Sequence, residues 1–129
     1  MYNLKTHLLI FLISLTSCRS SVNENFSKEN QRLKSEYKKQ WESFARAHMN
    51  ELSEEEMLDS LDSISEKYLI TKNKELAARF AQGDSGLKRL NFLKVHFSKE
   101  ELAEIINKVP QKLRADSNYK AIKTYVTSR

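Results

Sequence analysis

The chain has a single cysteine, Cys18, which stands just after an apolar stretch near the N-terminus, residues 8–15. A thiolate is a nucleophile and a metal ligand, so this residue is the first to consider for chemistry. One cysteine leaves no partner for a disulfide, for a Cys-x-x-Cys redox pair or for a cysteine zinc site. The chemistry open to Cys18 is therefore a modification of its own sulfur.

The residues before Cys18 indicate what that modification is. Lys5 gives a positive charge, residues 8–15 form a short hydrophobic segment, and Thr16 and Ser17 are small residues at which a peptidase can cut. The order Leu15-Thr16-Ser17-Cys18 resembles the lipobox of bacterial lipoproteins. The alternative is a buried N-terminal helix with a chance cysteine. A membrane-spanning helix needs roughly 20 apolar residues, and Lys5 and Arg19 bracket too few for one. We predict a signal peptide over residues 1–17 and lipidation of Cys18.

The predicted anchor also bears on location. One acyl chain binds a membrane weakly, whereas two or three hold a protein there durably. Arg19 follows the cysteine where the inner-membrane retention signal of lipoproteins has Asp, and the next residues are polar without forming an acidic export cluster. We therefore expect a cell-envelope protein, lipid-anchored in the periplasmic leaflet of the outer membrane.

Other reactive side chains have ordinary explanations. Gly83-Asp84-Ser85-Gly86 matches the nucleophile loop of trypsin-like proteases superficially, but that chemistry needs a double β-barrel and a histidine placed by it. His48 and His96 have no second ligand at helical spacing. The acidic residues that open a predicted helix complement its dipole, and they are Glu54, Glu55, Glu56, Asp59 and Asp62. We predict no catalytic residue, no metal, no cofactor and no enzymatic activity.

Composition favours an all-α fold. The chain has two glycines and one proline, and 30% of its residues are charged. A sheet protein with many tight turns would need more turn formers. Residues 18–26 lack periodicity and are rich in Ser and Asn, which predicts a flexible tether, and residues 27–127 then form one helical domain.

Apolar residues at steps of three and four predict about five or six amphipathic helices, packed as helical hairpins. The first begins at Ser27 and has Trp41 at the centre of its apolar stripe, with Met49 near its end. Ser53-Glu54-Glu55-Glu56 is a capping box that starts a second helix, in which Leu58 points inward. Near Thr71 the sequence allows either a bend or a break.

The second half of the chain continues this pattern. Asp84 or Ser85 caps a helix that reaches His96, and its apolar residues make it the most buried element: Leu87, Leu90, Phe92, Leu93, Val95 and Phe97. Ser98-Lys99-Glu100-Glu101 is a second capping box, Pro110 ends or bends the helix that follows, and Ser117 caps the last one.

These C-terminal residues carry a resemblance. The order Phe80, Gly83-Asp84-Ser85, Ser98, Val109-Pro110 and Ser117-Asn118-Tyr119 is similar to the helical segment that precedes the thioredoxin domain in Bacteroidetes lipoproteins of the TlpA-like thiol-disulfide oxidoreductase group. The resemblance covers residues 75–126. Those proteins often have Pro-Asp-Ser at the first glycine and Ser-x-Tyr-Gly at the last motif, and they continue into a thioredoxin fold. The resemblance implies a periplasmic helical module near thiol-redox lipoproteins, without oxidoreductase activity.

Charge is distributed unevenly along the chain. Residues 18–66 contain seven Lys or Arg against eleven Asp or Glu, whereas residues 67–129 contain fourteen against six, a net charge of +8. We expect a basic interaction face at Lys88, Arg89 and Lys94, although such a balance can also serve solvation alone. An exported lipoprotein does not meet nucleic acid, so the expected partners are the membrane, through the anchor, and an envelope protein or an anionic glycolipid.

Together these patterns predict a non-enzymatic, lipid-anchored envelope protein whose helical domain acts as an interaction module. The alternative is a truncated or split accessory of a TlpA-like thiol-disulfide oxidoreductase.

Overall fold

A computed structural model describes the backbone of residues 4–128 and the side chains of residues 21–128. It confirms the all-α prediction, since this part of the chain contains no β-strand. The six α-helices are α1 (Leu4–His48), α2 (Glu54–Glu66), α3 (Lys72–Arg79), α4 (Asp84–Leu93), α5 (Lys99–Asn107) and α6 (Ser117–Thr127). The predicted signal peptide and the side chain of Cys18 lie outside the residues whose side chains are described.

The first hairpin is formed by α1 and α2. The amide groups of Glu51 and Leu52 donate to the carbonyl of His48 and so reverse the chain. The capping box is confirmed, since the Glu56 amide donates to Ser53 Oγ over 3.3 Å and the Ser53 amide donates to Glu56 Oε2 over 2.9 Å. These bonds satisfy amide groups that the first turn of α2 would otherwise leave unpaired.

This hairpin is less covered than its sequence predicts. Trp41 is 38% exposed, Met49 66% and Leu58 56%, so the expectation that they form an apolar core stripe is wrong. The physical reason is that α2 packs on α1 alone at this end, and none of its residues is buried. Two helices in contact can bury only the narrow strip between them.

A π-helical turn, Lys67–Thr71, joins α2 to α3. The chain therefore does not break near Thr71, because it stays helical through the insertion. Such a turn weakens the regular backbone ladder locally. Asn73 compensates, because its Nδ2 donates to the carbonyl oxygen of Tyr68 over 2.8 Å.

The hydrophobic core lies in the second half of the chain. Helix α4 packs against α3, α6 and α1, and α5 packs against α6. The core residues come from α3 to α6 and the turns between them: Ala77, Ala81, Leu87, Leu90, Leu93, Phe97, Leu102, Ile106, Val109, Leu113, Tyr119 and Ile122. Phe92 and Val95 are 80% and 64% exposed, so the prediction that they are buried with the rest of α4 is wrong.

The helix ends of this half agree in part with prediction. The Ser98 capping box is confirmed. Helix α4 begins one residue earlier than expected, with Gly83 as its N-cap, and α6 is capped by Asp116, whose carboxylate accepts the Asn118 amide over 2.7 Å. Pro110 lies after the end of α5 and precedes a short 3-10 turn, Gln111–Leu113.

The N-terminal segment differs most from expectation. The sequence predicts a flexible tether over residues 18–26 and a helix start at Ser27, but residues 21–26 belong to α1 and pack on the domain. Phe26 is 7% exposed and meets the Phe80 ring edge-on, with ring centroids 5.9 Å apart. The tether prediction is wrong for these residues because their packing partners lie about sixty residues further along the chain.

Candidate functional site

The three residues of the predicted basic face point in three directions. Consecutive helical residues are rotated by about 100°, so Lys88 and Arg89 on α4 and Lys94 in the turn after it cannot share one face. Lys88 is exposed, whereas Arg89 and Lys94 are half-buried. The three residues are close in sequence, but they do not form one basic surface.

The side chain of Arg89 points from α4 toward α1 and α3. Its Nη1 donates to Asn73 Oδ1, and its Nη2 donates to Asn30 Oδ1 over 3.3 Å. The guanidinium carbon lies 5.7 Å from the centre of the Phe26 ring. Burial lowers the pKa of Arg89, because the charged form loses hydration there.

Lys94 turns toward α6. Its Nζ donates to Asn91 Oδ1 over 2.9 Å, and Asn91 Nδ2 donates to Asn118 Oδ1 over 3.0 Å. Because Asn118 is also bonded to the cap residue Asp116, a chain of polar side chains joins the end of α4 to the start of α6. Lys94 has a structural explanation here that the sequence did not reveal.

Lys88 instead shares a surface with the two exposed apolar residues. Lys88, Phe92 and Val95 are spaced four and three residues apart, which places them along one side of α4 and the turn after it. We call this set the α4 stripe. Leu87, Leu90 and Leu93 occupy the opposite, buried side. The helical spacing itself separates the two sides and could have revealed the stripe from the sequence.

A row of ion pairs links α1 to α3 on another side of the molecule. Arg79 contacts Glu29 over 3.0 Å and Lys72 contacts Glu36 over 3.5 Å, while Arg32 lies between the two carboxylates and contacts both. Hydrogen bonds from Arg32 and then Arg79 hold the pKa of Glu29 below its ordinary value. A cavity of about 330 Å³ lies along this row, with equal numbers of cations and carboxylates in its lining.

The part of the chain next to Cys18 is fixed to the domain. Val22 lies against Gly83, where an added Cβ would stand 2.7 Å from Val22 Cγ1. Asn23 accepts the Ser85 amide on its Oδ1 over 3.2 Å and donates from Nδ2 to Asp84 Oδ2 over 3.2 Å. The Gly83-Asp84-Ser85-Gly86 motif thus holds the N-terminal segment against α4.

Comparison with protein-family models, with curated proteins and with solved structures found no significant match. Among the residues that the structure describes, no helix is both long enough and apolar enough to cross a membrane. Within the same residues, no group of three or more His, Cys, Asp or Glu side chains is arranged to hold a metal ion.

Proposed function

We propose that this chain is a non-enzymatic, lipid-anchored protein of the bacterial cell envelope whose helical domain binds a partner protein through the α4 stripe. The observation that carries the proposal is the exposure of Phe92 on α4 and of Val95 in the turn after it, at 80% and 64%, because the opposite side of α4 supplies the centre of the core. Large exposed apolar side chains are costly to leave in water, and such patches are typical of binding surfaces.

The lipobox supports the anchor, and the packing of α1 supports a short connection to it. Val22 follows Cys18 by one helical turn and contacts Gly83. A lipid on Cys18 would therefore hold the first turn of α4 near the bilayer. At 1.5 Å per residue, His48 lies about 40 Å further along α1.

The charge of the chain indicates the chemistry of the partner. Lys88 stands beside Phe92, and residues 67–129 carry a net charge of +8. An envelope protein with an apolar recess edged by carboxylates would complement this surface. The charges would mainly speed encounter, whereas burial of Phe92 would supply most of the affinity.

Metabolic labelling with palmitate tests the anchor. The wild-type protein should incorporate the label and sediment with membranes, whereas Cys18→Ser should do neither. Equal labelling of the two proteins would remove the lipoprotein proposal, whatever the partner.

Capture from detergent-solubilised envelopes tests the surface. Phe92→Ser should lose at least nine-tenths of a specifically retained protein, while Leu58→Ser, which removes a side chain 56% exposed on α2, should keep it. Lys88→Glu should weaken capture more at low than at high salt. Equal retention by Phe92→Ser and wild type would reject the α4 stripe, and retention of anionic glycolipid alone would replace the protein partner with a lipid one.

A further inference from the structure

A small pocket lies where α1, the π-helical turn and α4 meet. Its volume is about 120 Å³, and its polar lining residues include Asn30, Lys34, Asn73 and Arg89. Two of the lining residues are cations and none is a carboxylate. The cavity between α1 and α3 and the groove between α3 and α5, at about 330 and 400 Å³, each have three carboxylates in their lining. The small pocket is thus the electropositive one of these three.

The guanidinium of Arg89 is only partly used by the protein. Arginine has five N–H donors. One N–H donates to Asn73 Oδ1 and one to Asn30 Oδ1. Both acceptors are neutral amides, and three N–H donors are left over. Because Asn30 uses its oxygen for Arg89, its own amide nitrogen is a further donor at the pocket wall.

The charge of Arg89 is also uncompensated. Among the residues that the structure describes, no carboxylate forms an ion pair with it, and loss of hydration is the cause that shifts its pKa. Arg32 and Arg79, by contrast, both contact Glu29. A half-buried cation without a counter-ion costs free energy, and an anion that entered the pocket would recover part of it.

The rest of the wall limits what that anion can be. Leu33, Tyr37, Tyr68 and Leu69 line the pocket beside the polar residues. The Tyr37 hydroxyl already bonds to Ser65 Oγ over 2.9 Å, and the Tyr37 and Tyr68 rings lie 5.7 Å apart. These walls are aromatic and aliphatic, and the volume is well below the roughly 300 Å³ at which drug-sized ligand pockets begin. The ligand must be small and partly apolar.

We propose that this pocket binds a small organic carboxylate. The acid group pairs with the N–H donors of Arg89 that the protein leaves unused, because a guanidinium and a carboxylate form a strong charge-assisted pair, and Lys34 adds a second positive charge at the rim. The short apolar body lies against the leucine and tyrosine side chains. The proposal does not depend on the lipid anchor or on the α4 stripe.

Nuclear magnetic resonance titration with three probes tests the ligand class. Isobutyrate should give saturable shifts at the backbone amides of Asn73 and Arg89. Isobutyramide has the same shape without the charge and should bind at least tenfold more weakly, as should inorganic phosphate, which lacks an apolar body. Equal binding of isobutyramide, or binding of phosphate without isobutyrate, would overturn the proposal.

Two variants test the site itself. Arg89→Met should weaken isobutyrate binding at least tenfold, while Lys88→Met, which removes the exposed neighbouring cation, should leave it unchanged. Asn30→Asp keeps Arg89 and places a carboxylate about where its amide oxygen now lies, 3.3 Å from Nη2. This internal counter-ion should raise the melting temperature and abolish binding. Wild-type affinity in folded Asn30→Asp would overturn the proposal even if Arg89→Met failed to fold.

Discussion

Asn23 caps a helix that begins sixty residues away from it. The N-cap residue of α4 is Gly83, which has no side chain to accept a hydrogen bond from the first turn. Asn23 Oδ1 takes that place and accepts the Ser85 amide over 3.2 Å, which is the bond that an N-cap side chain would normally form. The start of α4 is therefore completed by α1.

This relationship predicts the effect of removing the side chain. Asn23→Ala should lower the free energy of unfolding by about 0.5–2 kcal/mol, the usual cost of a lost N-cap, as measured by urea unfolding. Asn25→Ala is the matched control, because Asn25 is an exposed residue of the same helix. Equal midpoints for Asn23→Ala and Asn25→Ala would contradict capping by α1.

Gly86 should not tolerate a side chain. A Cβ at this position would overlap the backbone carbonyl of Phe80, which cannot move without shifting the end of α3. Gly86→Ala should therefore destabilise the fold by roughly 1–3 kcal/mol even though alanine favours helix. Lys88→Ala, on the exposed side of the same helix, should change the melting temperature little. A Gly86→Ala protein as stable as wild type would show that the two segments can separate freely.

Leu93 and Trp41 should differ sharply in their contributions to stability. Leu93 is 3% exposed within the core, whereas Trp41 is 38% exposed on the open hairpin. Leu93→Ala should cost roughly 2–5 kcal/mol, and Trp41→Ala should cost clearly less. Thermal melts followed by far-ultraviolet circular dichroism can compare them. A larger loss for Trp41→Ala than for Leu93→Ala would contradict the exposure of Trp41 on the open hairpin.

Acid should weaken the contact between α1 and α3. The pKa of Glu29 is lowered by Arg32 and then by Arg79, so its contribution to stability is fully present above the ordinary glutamate pKa of about 4.3 and is lost as pH falls through the lowered value. Wild type should lose more stability than Glu29→Gln between pH 5 and acid pH, in urea melts. The charge control is Glu66→Gln on α2. Parallel pH profiles for wild type and Glu29→Gln would contradict the ion-pair row.

The sequence alone determined the helical class and several helix ends. The signals for this are apolar residues at steps of three and four, few glycines and two Ser-x-x-Glu capping boxes. They act between residues that are close in sequence, so they do not depend on how the helix packs. The leucines of α4 could be assigned to the core because they recur at steps of three along the helix. The order Leu15-Thr16-Ser17-Cys18 is a local signal too, and the lipid anchor at Cys18 stays a prediction.

Tertiary structure decided what depended on distant neighbours. The sequence shows that Trp41 and Phe92 are apolar. Their exposure depends on the packing of the helices, which leaves both side chains partly or largely uncovered. The sequence predicts that Arg89 is a surface cation, but its side chain is half-buried and donates hydrogen bonds to Asn30 and Asn73. The composition of residues 21–26 predicts a tether, but these residues pack against Gly83 and Phe80, which lie far along the chain. Burial and partner choice are properties of the packed chain, because they arise between residues that sequence separates.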